Sequence, residues 1–386
     1  MSTSLYPGDL KHLRGNVELL RARTNALKRA ETLDPRLMKY GLGIASSLPD
    51  DFKSGYLGGE ARYDASASGS VAILPWGEAM KDSEISNVAG LRLAVSDTYG
   101  RNYHFASMFG NFGGGRVVRG EDGGQGEVVL RAEYEESAAD VVFIWAPRGA
   151  RIQITEESKG GAPFAGRTLA IFAEEDAHIE ISSIKNFSNA TISFANAFVH
   201  ILRGASVSFT DISLGSRFGK SDVSCFLIEE GARALVSGVS LAANQAHDIF
   251  HTMSHMADGT RSEIRMRGIA GSQGKIIYRG DIDIRKGVSR SRGEQEGKFL
   301  HAGINAEIDA IPSLDIGSGA SISSHSLSIS HLSEKDFFYP GIRGMPPFES
   351  QAMLFEGFLS QGAGNDSLKG MLREKLQSAI YHAGRE

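Results

Sequence analysis

Six short runs of alternating apolar and polar residues, each opened by a small residue and alanine, constrain the fold of this 386-residue chain most. Their starts differ by 27, 13, 15, 27 and 88 residues. The first four intervals are close to one or two multiples of about 14, a spacing of strand plus turn repeated without helices. The runs are Gly149-Ala-Arg-Ile-Gln-Ile, Asp176-Ala-His-Ile-Glu-Ile, Asn189-Ala-Thr-Ile-Ser-Phe, Gly204-Ala-Ser-Val-Ser-Phe, Gly231-Ala-Arg-Ala-Leu-Val and Gly319-Ala-Ser-Ile-Ser-Ser.

A parallel β-helix explains this repeat better than a β-sandwich. A sandwich would show hairpin turns such as Asn-Gly or Asp-Gly between neighbouring strands, but Asp-Gly occurs only at 122–123 and 258–259. Coils of a β-helix stack without hairpins, and a recurring Gly-Ala opening suits a corner that each coil repeats. We therefore predict a mainly β protein with a parallel β-helix core over 85–332. Alternation within the strands predicts that Ile192 points inward and Thr191 outward.

Helical patterns flank this core. Apolar residues recur at helical spacing over 8–31, and residues 1–84 are expected to form an N-terminal helical or α/β segment. After the core, 349–359 and 366–383 are predicted helices within a C-terminal helical segment, 333–386. The second helix has an apolar stripe, which is expected to be covered by the array or by a partner. That stripe consists of Leu368, Met371, Leu372, Leu376 and Ile380.

Composition excludes several classes of protein. A single cysteine rules out a disulfide framework, a cysteine-based zinc ribbon and a self-contained four-cysteine iron–sulfur site. An isoelectric point near 6.2 argues against bulk nucleic-acid binding. The longest apolar run, Val141 to Ala146, is far too short to span a bilayer, and the first residues lack an apolar signal core. We expect a cytoplasmic protein without membrane or nucleic-acid partners.

Three motifs resemble binding or catalytic sites, but their residues do not support such a function. Gly215 to Ser221 resembles a phosphate loop but has one residue too few between its glycines. His247, His251 and His255 share one face of a helix or a strand, yet no carboxylate or cysteine accompanies them in register, so structural histidines are expected. Cys225 lies in an apolar strand, where an isolated cysteine is usually a small buried hydrophobe. No catalytic residue is predicted, and we expect the chain not to be an enzyme.

His325 is the residue we expect to act as a ligand. It lies in the last alternating strands before the helical segment, where a histidine beside an exposed strand edge can face a partner subunit. Neutral imidazole is a good ligand for iron. The alternative is that His325 is solvated or only hydrogen-bonds across an interface.

An ordered series of motifs between His247 and Phe358 resembles the SufB/SufD family of iron–sulfur cluster assembly scaffolds. The strongest part is Asp336-Phe-Phe-Tyr-Pro-Gly-Ile-Arg-Gly-Met. The other matching residues and segments, in sequence order, are His247, His255, Ser262, Lys275-Ile-Ile-Tyr-Arg-Gly-Asp-Ile-Asp-Ile, Gln295, Pro312-Ser-Leu-Asp-Ile, Ser324-His325 and Ala352-Met-Leu-Phe-Glu-Gly-Phe. The resemblance implies a right-handed parallel β-helix with helical flanks.

The resemblance also implies partners and a paralogue. SufB and SufD pair, and each holds a subunit of the ABC-type ATPase SufC through its C-terminal helices. SufB-like chains carry cysteine directly after the glutamine that matches Gln295, where this chain has Glu296, so the chain resembles SufD. A transient cluster at His325 would then be shared with a SufB-like subunit, or with a second copy of this chain, and none would be bound by this chain alone. The partner-binding residues implied by these motifs and by the apolar stripe are Phe337, Phe338, Tyr339, Arg343, Leu368, Met371, Leu372, Leu376 and Ile380.

Two alternatives remain open from the sequence. A carbohydrate-active β-helix enzyme would need an aromatic-lined groove with clustered Asp or Arg, but Tyr278 is the only Tyr or Trp between 150 and 330. A diverged paralogue could instead bind SufC only as a regulator.

Overall fold

The protein is a parallel β-helix with helices packed on both outer faces. We describe it from a computed structural model that covers residues 17–33, 37–38, 46–47, 60–94, 103–363 and 369–376. Several sequence predictions lie wholly or partly outside these ranges, among them Leu368, Ile380 and the first half of the 8–31 helix. The described helices are α1 Val17–Ala30, α2 Trp76–Ala79, α3 Ser83–Ala94, α4 Tyr103–Asn111, α5 Glu334–Ile342, α6 Pro347–Ala363 and α7, residues 369–376.

Two nine-stranded sheets form the β-helix, and each coil contributes one strand to each sheet. Sheet I consists of β4 Val71–Pro75, β5 Gly114–Gly120, β7 Ala138–Ala146, β9 Phe164–Ala173, β11 Ile192–Ile201, β13 Phe218–Leu227, β15 Ala246–His255, β17 Lys275–Ile284 and β19 Glu307–Ile316. Sheet II consists of β3 Arg62–Gly69, β6 Gln125–Tyr134, β8 Arg151–Gly160, β10 His178–Phe187, β12 Ser206–Ser213, β14 Arg233–Ala242, β16 Arg261–Ala270, β18 Arg292–His301 and β20 Ile322–His331. A separate antiparallel pair joins β1 Leu37–Met38 to β2 Ser46–Ser47.

The Gly-Ala openings form one column of corners that leads into sheet II. Gly149, Gly204 and Gly231 have φ values of 66°, 66° and 76°, and Asp176 takes the same left-handed conformation with φ 57°. Glycine suits such a corner because it has no Cβ to clash in this conformation. The alanine after each of these four residues is almost fully buried between the sheets. The repeat is therefore one coil of about 27 residues, and the intervals of 13 and 15 arise because Asn189-Ala opens a strand of sheet I.

The parallel strands run from Gly114 to His331, and the β-helix is closed at its start but not at its end. At the start, β3 pairs antiparallel with β6 and β4 pairs antiparallel with β5. Helices α3 and α4 precede the parallel strands. At the other end, the outer edges of β19 and β20 pair with no strand of the described residues.

Helices cover the two sheets on opposite sides of the molecule. Helices α1 to α4 cover part of sheet I, where Phe109 and Phe112 pack on Phe143 and Phe172. Helices α6 and α7 cover part of sheet II, where their buried side chains form one cluster with apolar residues of β10 to β18. None of the helices in the described ranges is long and apolar enough to cross a membrane.

Our prediction of the side-chain directions in β11 was wrong. Ile192 packs with Phe105 and Met108 of α4 on the outside of sheet I. Thr191 precedes the strand and is fully buried, and its hydroxyl lies 3.1 Å from that of Ser188. Alternation reveals that neighbouring residues face opposite sides, but it does not reveal which side is the lumen when a helix covers the outer face.

Candidate functional site

The open end of the β-helix is the candidate site, because it leaves the last strand exposed. Apolar side chains lie along it although no described residue covers them: Ile322 is 69% exposed and Ile329 is 42% exposed. Ile316, at the end of β19, is also exposed. Exposed edge strands present unpaired N–H and C=O groups and readily pair with another chain. This end of the molecule is therefore suited to docking a further β-rich surface.

His325 lies in the middle of this open strand and is exposed to solvent. Its register partner on β18 is Gln295, which is only 4% exposed. The Gln295 side chain donates a hydrogen bond from Nε2 to the Tyr278 hydroxyl at 3.4 Å. There is room for this amide because residue 280 is glycine, since a Cβ there would lie 1.9 Å from Gln295 Nε2. A buried polar pair thus lies one strand inward from His325.

His325 does not belong to a metal-binding cluster within the described part of the chain. The described residues contain no group of three or more His, Cys, Asp or Glu side chains that could hold a metal ion. The sequence alone identifies Gln295 only as a position that matches the family. A spacing of 30 residues to His325, close to one coil, is the sequence signal that places the two side by side.

The three histidines of β15 are buried in the interior, where each has a polar neighbour. His251 Nε2 lies 3.0 Å from the carboxylate of Asp211, which also pairs with Lys185. Burial would raise the pKa of Asp211, but Lys185 and His251 hold it well below its usual range. His247 Nδ1 lies 2.8 Å from Ser240 Oγ, and His255 bonds the hydroxyls of Thr260 and Ser262. These contacts support a structural role for all three.

Cys225 is a free, buried cysteine that packs in the interior core. Burial raises the pKa of its thiol to about 12. The thiolate is the nucleophile and the metal ligand, so this side chain is unreactive in the folded chain. This agrees with the interpretation of Cys225 as a small hydrophobe.

The helical segment after β20 has a buried and an exposed apolar surface. Leu372 and Leu376 of α7 are fully buried against sheet II, and Met371 packs beside them. Their side chains anchor the segment to the β-helix and are not exposed to a partner in this structure.

The exposed surface belongs mainly to α5. Phe338, Tyr339 and Ile342 are 69%, 59% and 65% exposed, and Phe348 at the start of α6 is 59% exposed. Phe337 is half-buried, and the exposed Arg343 guanidinium lies 4.7 Å from the centre of the Tyr339 ring. The sequence does not predict Phe348 as a partner-binding residue, because it is distinguished from other apolar residues by its exposure and not by the periodicity of the sequence.

Comparison with known proteins points to iron–sulfur cluster assembly. The family model described as "SUF system FeS cluster assembly, SufBD core domain" matches residues 129–358, more than half of the chain. An iron–sulfur cluster assembly SufBD family protein of Staphylococcus aureus strain USA300 is 26% identical over 192 residues. A protein of the same description from Staphylococcus epidermidis is also 26% identical over 192 residues. Each match covers 50% of this chain and 41% of the relative, so the chain matches about two fifths of the length of these relatives.

Proposed function

Because the chain belongs to the SufBD family of iron–sulfur cluster assembly proteins, we propose that it is a SufD-like scaffold subunit without catalytic activity of its own. It pairs with a SufB-like subunit in the cytoplasm and holds a SufC-like ATPase. The observation that carries this proposal is the open end of the β-helix, where β19 and β20 have free outer edges among the described residues and β20 exposes Ile322 and Ile329.

The SufD-like assignment rests on two sequence positions and on the burial of Cys225. Gln295 is followed by Glu296, and His325 is followed by Ser326, whereas a SufB-like chain would have cysteine and glutamate there. SufD-like chains also lack that cysteine, but they have glycine where this chain has Ser326. Cys225 cannot replace the missing cysteine, because it is buried in the core with a raised pKa. The thiolate ligands of a nascent cluster must then come from the partner.

His325 is the ligand that this subunit offers to such a cluster. The cluster is cargo in assembly, and His325 lies on the strand that faces the proposed partner. A neutral imidazole coordinates iron without adding charge to the interface. The exposed apolar residues Phe338, Tyr339, Ile342 and Phe348 offer the ATPase a surface on α5 and α6, the helices that follow the strand with His325.

Replacing Ile329 by glutamate is expected to prevent pairing with the SufB-like subunit. The new carboxylate would be desolvated at an interface that has no partner for it, which costs several kcal/mol. Size-exclusion chromatography with light scattering on the co-expressed subunits measures the pairing. The matched control is Leu91→Glu, a similar change at an exposed residue of α3, which precedes the first coil. Equal pairing by the Ile329 and Leu91 variants would contradict the open end as the interface, and a dimer of the chain alone would show that a second copy occupies it.

Replacing His325 by alanine is expected to leave the assembled complex and its ATPase activity intact but to abolish most cluster formation. An aliphatic side chain cannot coordinate iron, whereas removal of an exposed imidazole leaves the β-helix unchanged. The measurement is the iron and sulfide content of reconstituted complexes, with subunit stoichiometry determined alongside. His331→Ala, on the same strand and also exposed, is the control. A full cluster yield with His325→Ala would overturn the ligand role, and a complex restored by His325→Asn would point to a hydrogen bond across the interface instead.

A further inference from the structure

We propose that the outer face of sheet II carries a docking site for an acidic α-helix of a partner protein. The site is a column of arginines that ends one strand before the open end, where Arg292 is the register partner of Ile322, and it does not include α5. Arg233, Arg261 and Arg292 are the first residues of three consecutive strands and are register partners of one another. All three are exposed. They line a groove of about 350 Å³ that also includes His178 and Ser206.

Two of the three guanidinium groups are not neutralised by any described residue. Arg233 and Arg261 make no side-chain hydrogen bond or ion pair within the described part of the chain. Glu263, two residues after Arg261, is engaged at 2.5 Å by Arg265 instead. Arg292 has a carboxylate partner, Glu294, whose oxygen lies 2.5 Å from its Nε. Like charges directly opposite one another destabilise a sheet, so this column lowers stability until an anion neutralises it.

The spacing of the arginines matches one side of an α-helix. Neighbouring strands lie about 4.7–4.9 Å apart, so three register-paired arginines form an evenly spaced row across the strands. On an α-helix, residues three and four apart lie about 5–6 Å apart on one face. An extended strand fits less well, because its same-side residues are about 6.6–6.8 Å apart. Glutamates at every fourth position of a helix would therefore each face one arginine.

The surroundings of the column disfavour a nucleic acid. Single-stranded nucleic acids are held by aromatic side chains on which the bases stack, but the groove contains no Phe, Tyr or Trp. Glu263 and Glu294 also line it, and they would repel a continuous phosphate backbone. A helix whose acidic residues form a single stripe can contact the arginines without placing a carboxylate beside Glu263 or Glu294. Its uncharged positions would face the apolar part of the groove at Leu235.

The test uses the full chain and two labelled synthetic helical peptides of identical composition. One has glutamates at every fourth position, and the other has them distributed around the helix. Fluorescence anisotropy is expected to show tighter binding of the striped peptide, weakening as salt rises. Arg233→Glu/Arg261→Glu is expected to raise its Kd at least tenfold. Arg285→Glu/Lys286→Glu alters the net charge equally at an exposed turn outside the column, and it is expected to change the Kd less than twofold.

Each of several results would overturn the proposal. These are equal binding of the two peptides, equal weakening by the two double variants, and tighter binding of a single-stranded oligonucleotide than of the striped peptide. Absence of binding to the striped peptide at low salt would also refute it. Arg233→Gln/Arg261→Gln, which removes charge without reversing it, must weaken binding in the same direction, and circular dichroism must show unchanged strand content in each variant.

Discussion

Replacing Arg167 by methionine is expected to lower the free energy of unfolding by about 3–5 kcal/mol. Arg167 lies between the two sheets, where its Nε is 2.6 Å from Asp140 Oδ1 and its Nη1 is 2.5 Å from Glu156 Oε1. The side chains of all three residues are at least 96% buried. Methionine would fill much of the space but would leave two carboxylates buried without their cation. Urea unfolding followed by circular dichroism measures the loss.

Arg131→Met is the matched control for this change. Arg131 also pairs with a carboxylate, that of Asp64 at 3.3 Å, but its side chain is 52% exposed. An exposed ion pair contributes about 0–1 kcal/mol, so the control should unfold close to the wild type. Similar losses in both variants would contradict the assignment of Arg167 to a dry interior network.

Acidification from pH 6.5 to pH 4 is expected to destabilise the protein strongly. Burial lowers the pKa of His247, His255 and His200 to about 4, with Lys185 assisting at His247 and Arg92 at His200. In the unfolded chain these histidines take up protons below pH 6.5, while in the folded chain they stay neutral until about pH 4. The unfolded state therefore binds more protons across this window, and stability falls as the pH falls. Each histidine contributes about 3 kcal/mol to this loss, at 1.36 kcal/mol per pKa unit.

Urea unfolding at several pH values measures this slope. His200→Gln should reduce it by about a third, because glutamine does not titrate and one of the three buried histidines is gone. His200 suits the test because its ring packs 5.2 Å from that of Phe226 and makes no hydrogen bond among the described residues. The control is His178→Gln, since that side chain is 39% exposed. A slope that His200→Gln leaves unchanged would contradict a buried neutral imidazole at this position.

The sequence was sufficient to predict the β-helix because its corners are built the same way in successive coils. Each corner needs a residue in the left-handed backbone conformation followed by a small buried residue. The pairs Gly149-Ala, Gly204-Ala and Gly231-Ala meet this requirement and can be recognised in the sequence. The side-chain directions in β11 could not be predicted, because they depend on α4 covering the outer face at Ile192. That contact joins residues far apart in sequence, and strand alternation carries no information about it.

The candidate site was predictable only in part for the same reason. His325 stands out in sequence as a histidine in the last alternating run, but its position beside Gln295 depends on the register of β18 and β20. Leu372 and Leu376 of the predicted apolar stripe are buried on sheet II, yet the pattern alone could not distinguish them from residues that a partner covers. Periodicity predicts that a face will be covered, whereas the tertiary structure determines what covers it.

The most direct test of the proposed scaffold role is native mass spectrometry of this chain co-expressed with a SufB-like and a SufC-like protein. The account predicts a complex with one copy of this chain, one SufB-like subunit and two SufC-like subunits. Phe338→Asp/Ile342→Asp should lose one SufC-like subunit and keep the SufB-like one, because the two exposed residues lie on α5 and not on β19 or β20, the strands with free outer edges. A chain that stays alone under these conditions, or that binds the ATPase without the SufB-like subunit, would contradict the account.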